Sequence, residues 1–396
     1  MTVWEERVLA LRKERNQPFC AYLYDLASLR AHVNRLRATL PAGCKLYYAV
    51  KANPDRKILS TLAPLVHGFE VASLGEIEKV RAVSATIPIV FGGPGKTDEE
   101  LAGAIRHGVR LIHVESEHEL RRLELIAREQ NAVVPILLRV NLQRAVPSAQ
   151  LNMAGVPTQF GIEEADVPRL IRMAEVSAHL RLEGFHFHAM SNNLDAVKHA
   201  EFVEHCLMTA KAWVVAHNLN ISCLNVGGGI GINYQDPDRP FAWEAFRDRL
   251  ANIFQQTNEH GWEILFECGR YVVSSCGTYA AEVLDVKRNH GKWFAVLRGG
   301  SHHFRLPAAW KSSHPFRVVP VEEWPYPFDR PACSQTTVTV AGELCTPNDL
   351  LARDVPVRLL RAGDILLFPY AGAYGWTISH HDFLSHPHPE HLYWEE

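Results

Sequence analysis

Short apolar runs recur along the first two thirds of the chain, bounded by Gly, Pro or polar turns and spaced roughly 20–45 residues apart. Leu46–Val50, Phe69–Ala72, Ile87–Gly92 and Arg110–Val114 are followed by Val134–Val140, Leu182–His188, Ile221–Val226 and Glu263–Glu267. Most are separated by stretches with helical apolar spacing, such as LGEIEKVRAV, TDEELAGAIRHG and SEHELRRLELIAREQ. Eight β units alternating with helices over about 225 residues predict an α/β fold, a (β/α)8 TIM barrel over residues 25–267. A doubly wound open sheet is the competing reading. It calls for an early Gly-rich dinucleotide loop, and none is visible.

Beyond residue 267 the texture changes. TYAAEVLDVKR, KWFAVLRGG, TTVTVAG and DILLFPYAG are rich in β-branched and aromatic residues, with frequent Pro and Gly. They predict a mostly antiparallel β domain over 268–396, with residues 1–24 joining it through the strand-like segment Phe19–Tyr24.

Composition narrows the classes. The 396 residues are 47% hydrophobic and 21% charged with a net charge of -3, which offers no basic field for nucleic acid or an anionic membrane. No run approaches the roughly 18 apolar residues of a membrane span. The N-terminal MTVWEERVLALRKERNQ is too charged for the core of a secretory signal. The 8 cysteines form no CxxC pair, which argues against a zinc ribbon or disulfide framework and fits a reducing cytoplasm.

Chemistry in a TIM barrel sits at the C-terminal strand ends. There the chain places Lys51, Glu70 with Ser73, Gly93, Glu115, Arg139 with Asn141, His188, Gly227–Gly229 and Glu267. Lys51 follows the apolar YYAV directly. A lysine closing a buried strand has its amine made nucleophilic by desolvation and can hold pyridoxal phosphate as a Schiff base. Gly227-Gly228-Gly229 after the seventh strand and Gly269-Arg270 after the eighth suit a phosphate, which backbone N–H groups can reach where side chains are absent. Glu267 would keep a pyridine nitrogen protonated, with an ion pair to Arg270 as the alternative. His186 and His188 share a face by the strand period of two, and His188 can stack on a flat cofactor or serve as a core residue.

Together YYAVKANP, GFEVAS, FGGPGK, LNVGGGIG, FECGR, LCTPND and AYG resemble the fold-type III pyridoxal-phosphate decarboxylases, the ornithine/arginine and diaminopimelate group, from about Phe19 to His388. The resemblance implies a barrel plus a β domain, and a homodimer with shared active sites. Lys51 would carry the cofactor, Glu267 would face its ring nitrogen and His188 would stack on it. Ser191, Gly229, Gly269, Arg270 and Tyr374 would hold the phosphate, and Cys345 of the second subunit would reprotonate the α-carbon. On the sequence alone Cys345 is one of eight cysteines, for which burial is the ordinary role.

Two positions depart from the family pattern. Met190 stands where H-x-G-S has glycine, and Thr346 replaces an acidic residue that meets a distal amine in relatives acting on basic amino acids. HFHAMSNNLDA, LRGGSHHFRLPAAW, GELCTPNDLLARDV and AYGWTISHHDFLSHPHPE look like a siderophore-assembly branch of the family, and MAGVPTQFGI is shared with members acting on carrier-bound glutamate. The branch implies citryl-diaminopropionate as substrate, with Arg305, His302 and His303 as carboxylate partners and Asp349 nearby. A decarboxylase for another free or carrier-bound amino acid is the alternative, followed by a racemase and a non-catalytic relative. The tail SHHDFLSHPHPEH has no regular ligand spacing, so no metal is expected.

Overall fold

The computed structural model describes residues 3–143, 151–152, 155–257 and 261–395. Met153 and Ala154 of the MAGVPTQFGI segment lie outside them. The chain divides into two compact units. One comprises Arg30–Asn233 with Pro237–Val272, and the other Met1–Leu29, Tyr234–Asp236 and Val273–Glu396. These divisions fall five residues C-terminal to both of the domain boundaries drawn from the sequence, at 24/25 and 267/268.

The first strand, β1 (Cys20–Asp25), belongs to the second unit. Leaving aside three two-residue strands, the next eight are β2 (Cys44–Ala49), β3 (Gly68–Val71), β4 (Ile89–Phe91), β5 (Leu111–Val114), β6 (Val134–Asn141), β7 (Leu180–His186), β8 (Cys223–Asn225) and β9 (Glu263–Cys268). They pair in sequence order, all parallel, and β9 closes on β2, so the expected TIM barrel is observed. Helices follow most of the strands and are capped as they start: the side chains of Asp55, Ser73, Thr97, Ser116 and Asp195 each accept from helix N–H groups.

Tyr47, Val90, Leu111, Leu137, Cys223 and Leu265, from six different strands, pack into one buried cluster. The next residues on the same faces, two positions further along, are Ala49, Gly92, His113, Arg139, Asn225 and Glu267. An apolar layer thus gives way, within one alternation, to a layer of polar groups and small residues. Burial of the lower layer sets the register that aims the upper one.

The second unit is built on an eight-stranded sheet. Its long strand β10 (Gly277–Asn289) pairs antiparallel with β1, with β11 (Lys292–Leu297) and with β15 (Ile365–Phe368). β12 (Arg317–Val319) extends β15, while β13 (Ala332–Ala341) joins β11 in parallel and β14 (Leu350–Arg361) antiparallel. β16 (Glu390–Trp394) lies parallel to β1. Val8, Phe19, Ala21, Leu23, Ala280, Val319, Ile365 and Leu367 form its core.

Candidate active site

In the barrel, Lys51 sits in a single 3-10 turn, Val50–Ala52, immediately after β2. Its side chain is 41% exposed, and its amine donates to both oxygens of Glu70 at 3.0 and 2.9 Å. Glu70 is buried near the end of β3, and burial raises its pKa against the pull of Lys51. An amine that is open to solvent on one side and held by a buried carboxylate on the other is poised for covalent chemistry.

Gly227 has φ +70, and a Cβ there would stand 2.5 Å from His188 Nδ1. A Cβ on Gly228 would come within 2.1 Å of the Glu267 carbonyl, and one on Gly229 (φ +97) within 2.7 Å of Met190. The three glycines are therefore required by the backbone path itself, which leaves a side-chain-free loop. The Gly228 N–H donates to His188 Nδ1 at 3.1 Å, so the ring proton of His188 belongs on Nε2. Burial, with Lys51 and Arg139 next, holds this imidazole neutral by pushing its pKa well below 6.5. His188 lies two residues beyond the end of β7, not on the strand as its pattern suggested. At Gly269 a Cβ would lie 2.9 Å from that of Ala52, so the Gly269-Arg270 turn packs on the turn that carries Lys51. Arg270 is buried and Ser191 partly exposed.

Glu267 ends up enclosed. Asn225 Nδ2 donates to its Oε1 at 2.7 Å, and Asn225 is itself oriented by the Gly227 N–H bound to its Oδ1 at 2.9 Å. His186 Nε2 stands 3.3 Å from Oε2 and His113 Nδ1 3.7 Å from Oε1. Two histidines and an asparagine thus surround the Glu267 carboxylate. Neither His113 nor Asn225 stands out in the sequence, since a lone polar residue in an apolar strand reads as a satisfied core residue. Among the described residues the converging metal-type donors are His113, His186 and Glu267, within 4.8 Å of one another, and not the tail histidines.

Several strand-end groups serve the frame. Arg139 binds Glu115 at 2.6 Å, and Glu115 also accepts from the Gly93 and Gly161 N–H groups. Asn141 bonds the backbone of Gly155 and Phe160.

In the second unit, Cys345 is exposed in the turn between β13 and β14, unlike the buried role its sequence setting alone suggested. Tyr374 is partly exposed and has a left-handed backbone, φ +53. Arg305 is exposed, with Nη1 3.1 Å from His380 Nδ1. Two expected substrate partners take other roles. His303 is buried against Cys20 and Tyr279, and burial pushes its pKa down to about 2, so it is a neutral core group rather than a carboxylate receptor. Asp349 is 1% exposed and accepts the Ser301 N–H at 2.5 Å and the Leu344 N–H at 2.9 Å, so both oxygens are committed to backbone. His302 is likewise fully buried.

A parallel barrel with a lysine at its mouth, a bare glycine loop after the seventh barrel strand and an enclosed carboxylate on the eighth defines an enzyme that uses a phosphorylated aromatic cofactor. Among the described residues the ring nitrogens of His186 and Nδ1 of His113 have no hydrogen-bond partner, and the buried Glu267 carboxylate beside them fits a protonated ring nitrogen. Residues 26–274 match the family described as pyridoxal-dependent decarboxylase, pyridoxal binding domain. The chain belongs to this family, and its cofactor is pyridoxal 5'-phosphate.

It is 47% identical over 386 residues to the 2-[(L-alanin-3-ylcarbamoyl)methyl]-2-hydroxybutanedioate decarboxylase of Staphylococcus aureus, covering 98% of this chain and 96% of that one. It is 29% identical to the L-glutamyl-[BtrI acyl-carrier protein] decarboxylase of Niallia circulans, over 98% of this chain and 91% of that one. The diaminopimelate decarboxylase of Helicobacter pylori, in complex with L-lysine, superimposes with a TM-score of 0.85 at 27% identity, over 98% and 93% of the two chains. No helix among the described residues is long and apolar enough to cross a membrane.

Proposed function

We propose that this decarboxylase acts on citryl-L-2,3-diaminopropionate in the cytoplasm, releasing carbon dioxide and citryl-diaminoethane for siderophore assembly. The observation that carries the reading is the 47% identity, over nearly the whole of both chains, to the S. aureus enzyme. The substrate in that enzyme's name is citrate with one terminal carboxyl amidated by the side-chain nitrogen of L-2,3-diaminopropionate. Thr346, in place of an acidic residue, agrees with a substrate whose distal end is anionic rather than cationic.

The residues would divide the work as follows. Lys51 would hold the cofactor covalently, and Glu70 would hold the Lys51 amine whenever that amine is free. Ser191, Gly229, Gly269, Arg270 and Tyr374 bind the phosphate. His188 would cover the ring face, and Glu267 would accept the hydrogen bond of the protonated ring nitrogen. When bound, pyridoxal phosphate supplies the electron sink for the pair left behind as the carboxylate departs. Cys345, contributed by a second copy of the chain in a homodimer, gives its proton to the substrate α-carbon and regains one from solvent. Arg305 is the exposed guanidinium suited to a citrate carboxylate. The His113–His186–Glu267 cluster is assigned to the cofactor and not to a metal, because Lys51, Arg139 and Lys96 bias it against a divalent cation.

The test is a substrate panel with purified holoenzyme, read by carbon dioxide release and product mass. The proposal expects kcat/KM for citryl-diaminopropionate to exceed those for diaminopimelate, ornithine and carrier-bound glutamate by at least about 100-fold. Preference for any of the other three would refute the substrate assignment and leave the family intact.

A further inference from the structure

Two imidazoles that carry no chemical step are buried beside the carboxylate assigned to the ring nitrogen. His113 is 0% and His186 3% exposed, with ring centroids 4.1 Å apart. His113 Nδ1 and both nitrogens of His186 lack a hydrogen-bond partner among the described residues, and His113 Nε2 is 3.4 Å from Asn225 Nδ2. An unsatisfied buried nitrogen is costly, and such groups are rare unless something compensates them. The carboxylate within 4 Å of both rings is Glu267, at 3.3 Å from one and 3.7 Å from the other, with one of its oxygens facing each.

The surroundings hold this arrangement in place. Glycine at 92 leaves room for the ring of His113, since a Cβ there would already be 3.3 Å from Nδ1. The His113 carbonyl accepts from the buried Lys96 amine at 2.7 Å, which anchors the strand behind the ring. Burial, aided for His186 by Arg139, Lys51 and Lys96 and for His113 by the neighbouring His186, keeps both imidazoles neutral. A neutral imidazole has one N–H to give and one lone pair to receive. The donor can face Glu267 without placing a second positive charge under the cofactor ring.

We propose that His113 and His186 are positioning residues that act through Glu267: the two rings flank its carboxylate, one at each oxygen, and with the Asn225 hydrogen bond keep it aligned on the cofactor's ring nitrogen. Asn225 alone fixes one oxygen and leaves the other free to turn. With a ring against each oxygen the carboxylate is held in one orientation, facing the ring nitrogen through which electrons are withdrawn. The inference rests on the reading that Glu267 meets the ring nitrogen, and the test separates the two.

The experiment measures equilibrium binding of two cofactors to apoenzyme: pyridoxal 5'-phosphate and its 1-deaza analogue, which has carbon in place of the ring nitrogen. Wild type, His113→Leu, His186→Leu and Glu267→Gln are compared. Each histidine variant is expected to bind pyridoxal phosphate about 10-fold more weakly, equivalent to about 1.4 kcal/mol, and the analogue within a factor of about three of wild type. Binding of the analogue also reports that the variant pocket is folded. Equal losses with both cofactors, or no loss with either, would overturn the inference, since the histidines would then only shape or fill the pocket. If Glu267→Gln itself fails to distinguish the two cofactors, the assignment of Glu267 to the ring nitrogen falls, and this inference with it.

Discussion

Replacing Asp349 with asparagine isolates what a buried carboxylate does for the turn that carries Cys345. In the native protein one oxygen accepts the Ser301 N–H and the other the Leu344 N–H, and Leu344 directly precedes Cys345. Backbone closes around this carboxylate: a Cβ on Gly342 would lie 2.2 Å from it, and one on Gly300 2.6 Å. Water therefore has little room to replace a lost partner. Asparagine keeps one acceptor and turns an N–H toward the other donor. Losing one hydrogen bond to a charged acceptor costs about 1.5–3 kcal/mol, and a buried donor left unsatisfied costs about 1–3 kcal/mol. A central value of about 3 kcal/mol corresponds to a rise on the order of 100-fold in local opening. Hydrogen exchange at the Leu344 and Ser301 amides, followed by mass spectrometry, measures this directly. The same variant should lose turnover while binding pyridoxal phosphate normally. Exchange within threefold of wild type would show that the carboxylate does not hold the turn, and would return Asp349 to the list of substrate ligands.

Further expectations follow from individual residues. Lys51→Ala should lose the visible absorption of bound cofactor and reduce turnover by more than about 1000-fold, and normal activity would contradict its covalent role. Cys345→Ala should lower kcat about 100-fold with cofactor affinity unchanged, whereas loss of cofactor would contradict a role as the acid. Gly227→Ala combines a left-handed backbone with a Cβ 2.5 Å from His188, so cofactor affinity and thermal stability should both fall, by calorimetry about 2 kcal/mol or more. His199 and His314 are buried with pKa values pushed down by burial to about 4, below the unfolded value near 6.5. Their contribution is intact above pH 6.5 and is lost as pH falls toward 4, by about 3 kcal/mol each at most. The melting temperature should therefore be lower at pH 5 than at pH 7, with a smaller difference in His314→Gln. An equal difference in the variant would remove His314 from that account.

The strand count, the parallel order and the polar residues at strand ends were readable because each is local. A run such as KLYYAV states its own burial, and the lysine after it needs no partner to be noticed. The same held for Gly227–Gly229 and Glu267, whose meaning came from their place in the strand order. His303 and Asp349 could not be read this way. The resemblance offered them as substrate partners, and only packing against Cys20, Tyr279 and the 301 and 344 amides showed them enclosed.

The sequence by itself determined a barrel of eight alternating units, the lysine proposed to take the cofactor and the carboxylate at the opposite end of the strand series. Tertiary structure decided what surrounds that carboxylate. His113, His186, Asn225 and Glu267 come from four strands spread over 155 residues, and His113 and Asn225 each sit in an apolar segment where one polar side chain carries no signal. Closing the barrel places them on one layer, because residues two apart on every strand face the same interior and the apolar layer beneath fixes the register. Alternation is a property of each strand, but convergence exists only once the strands close into a ring.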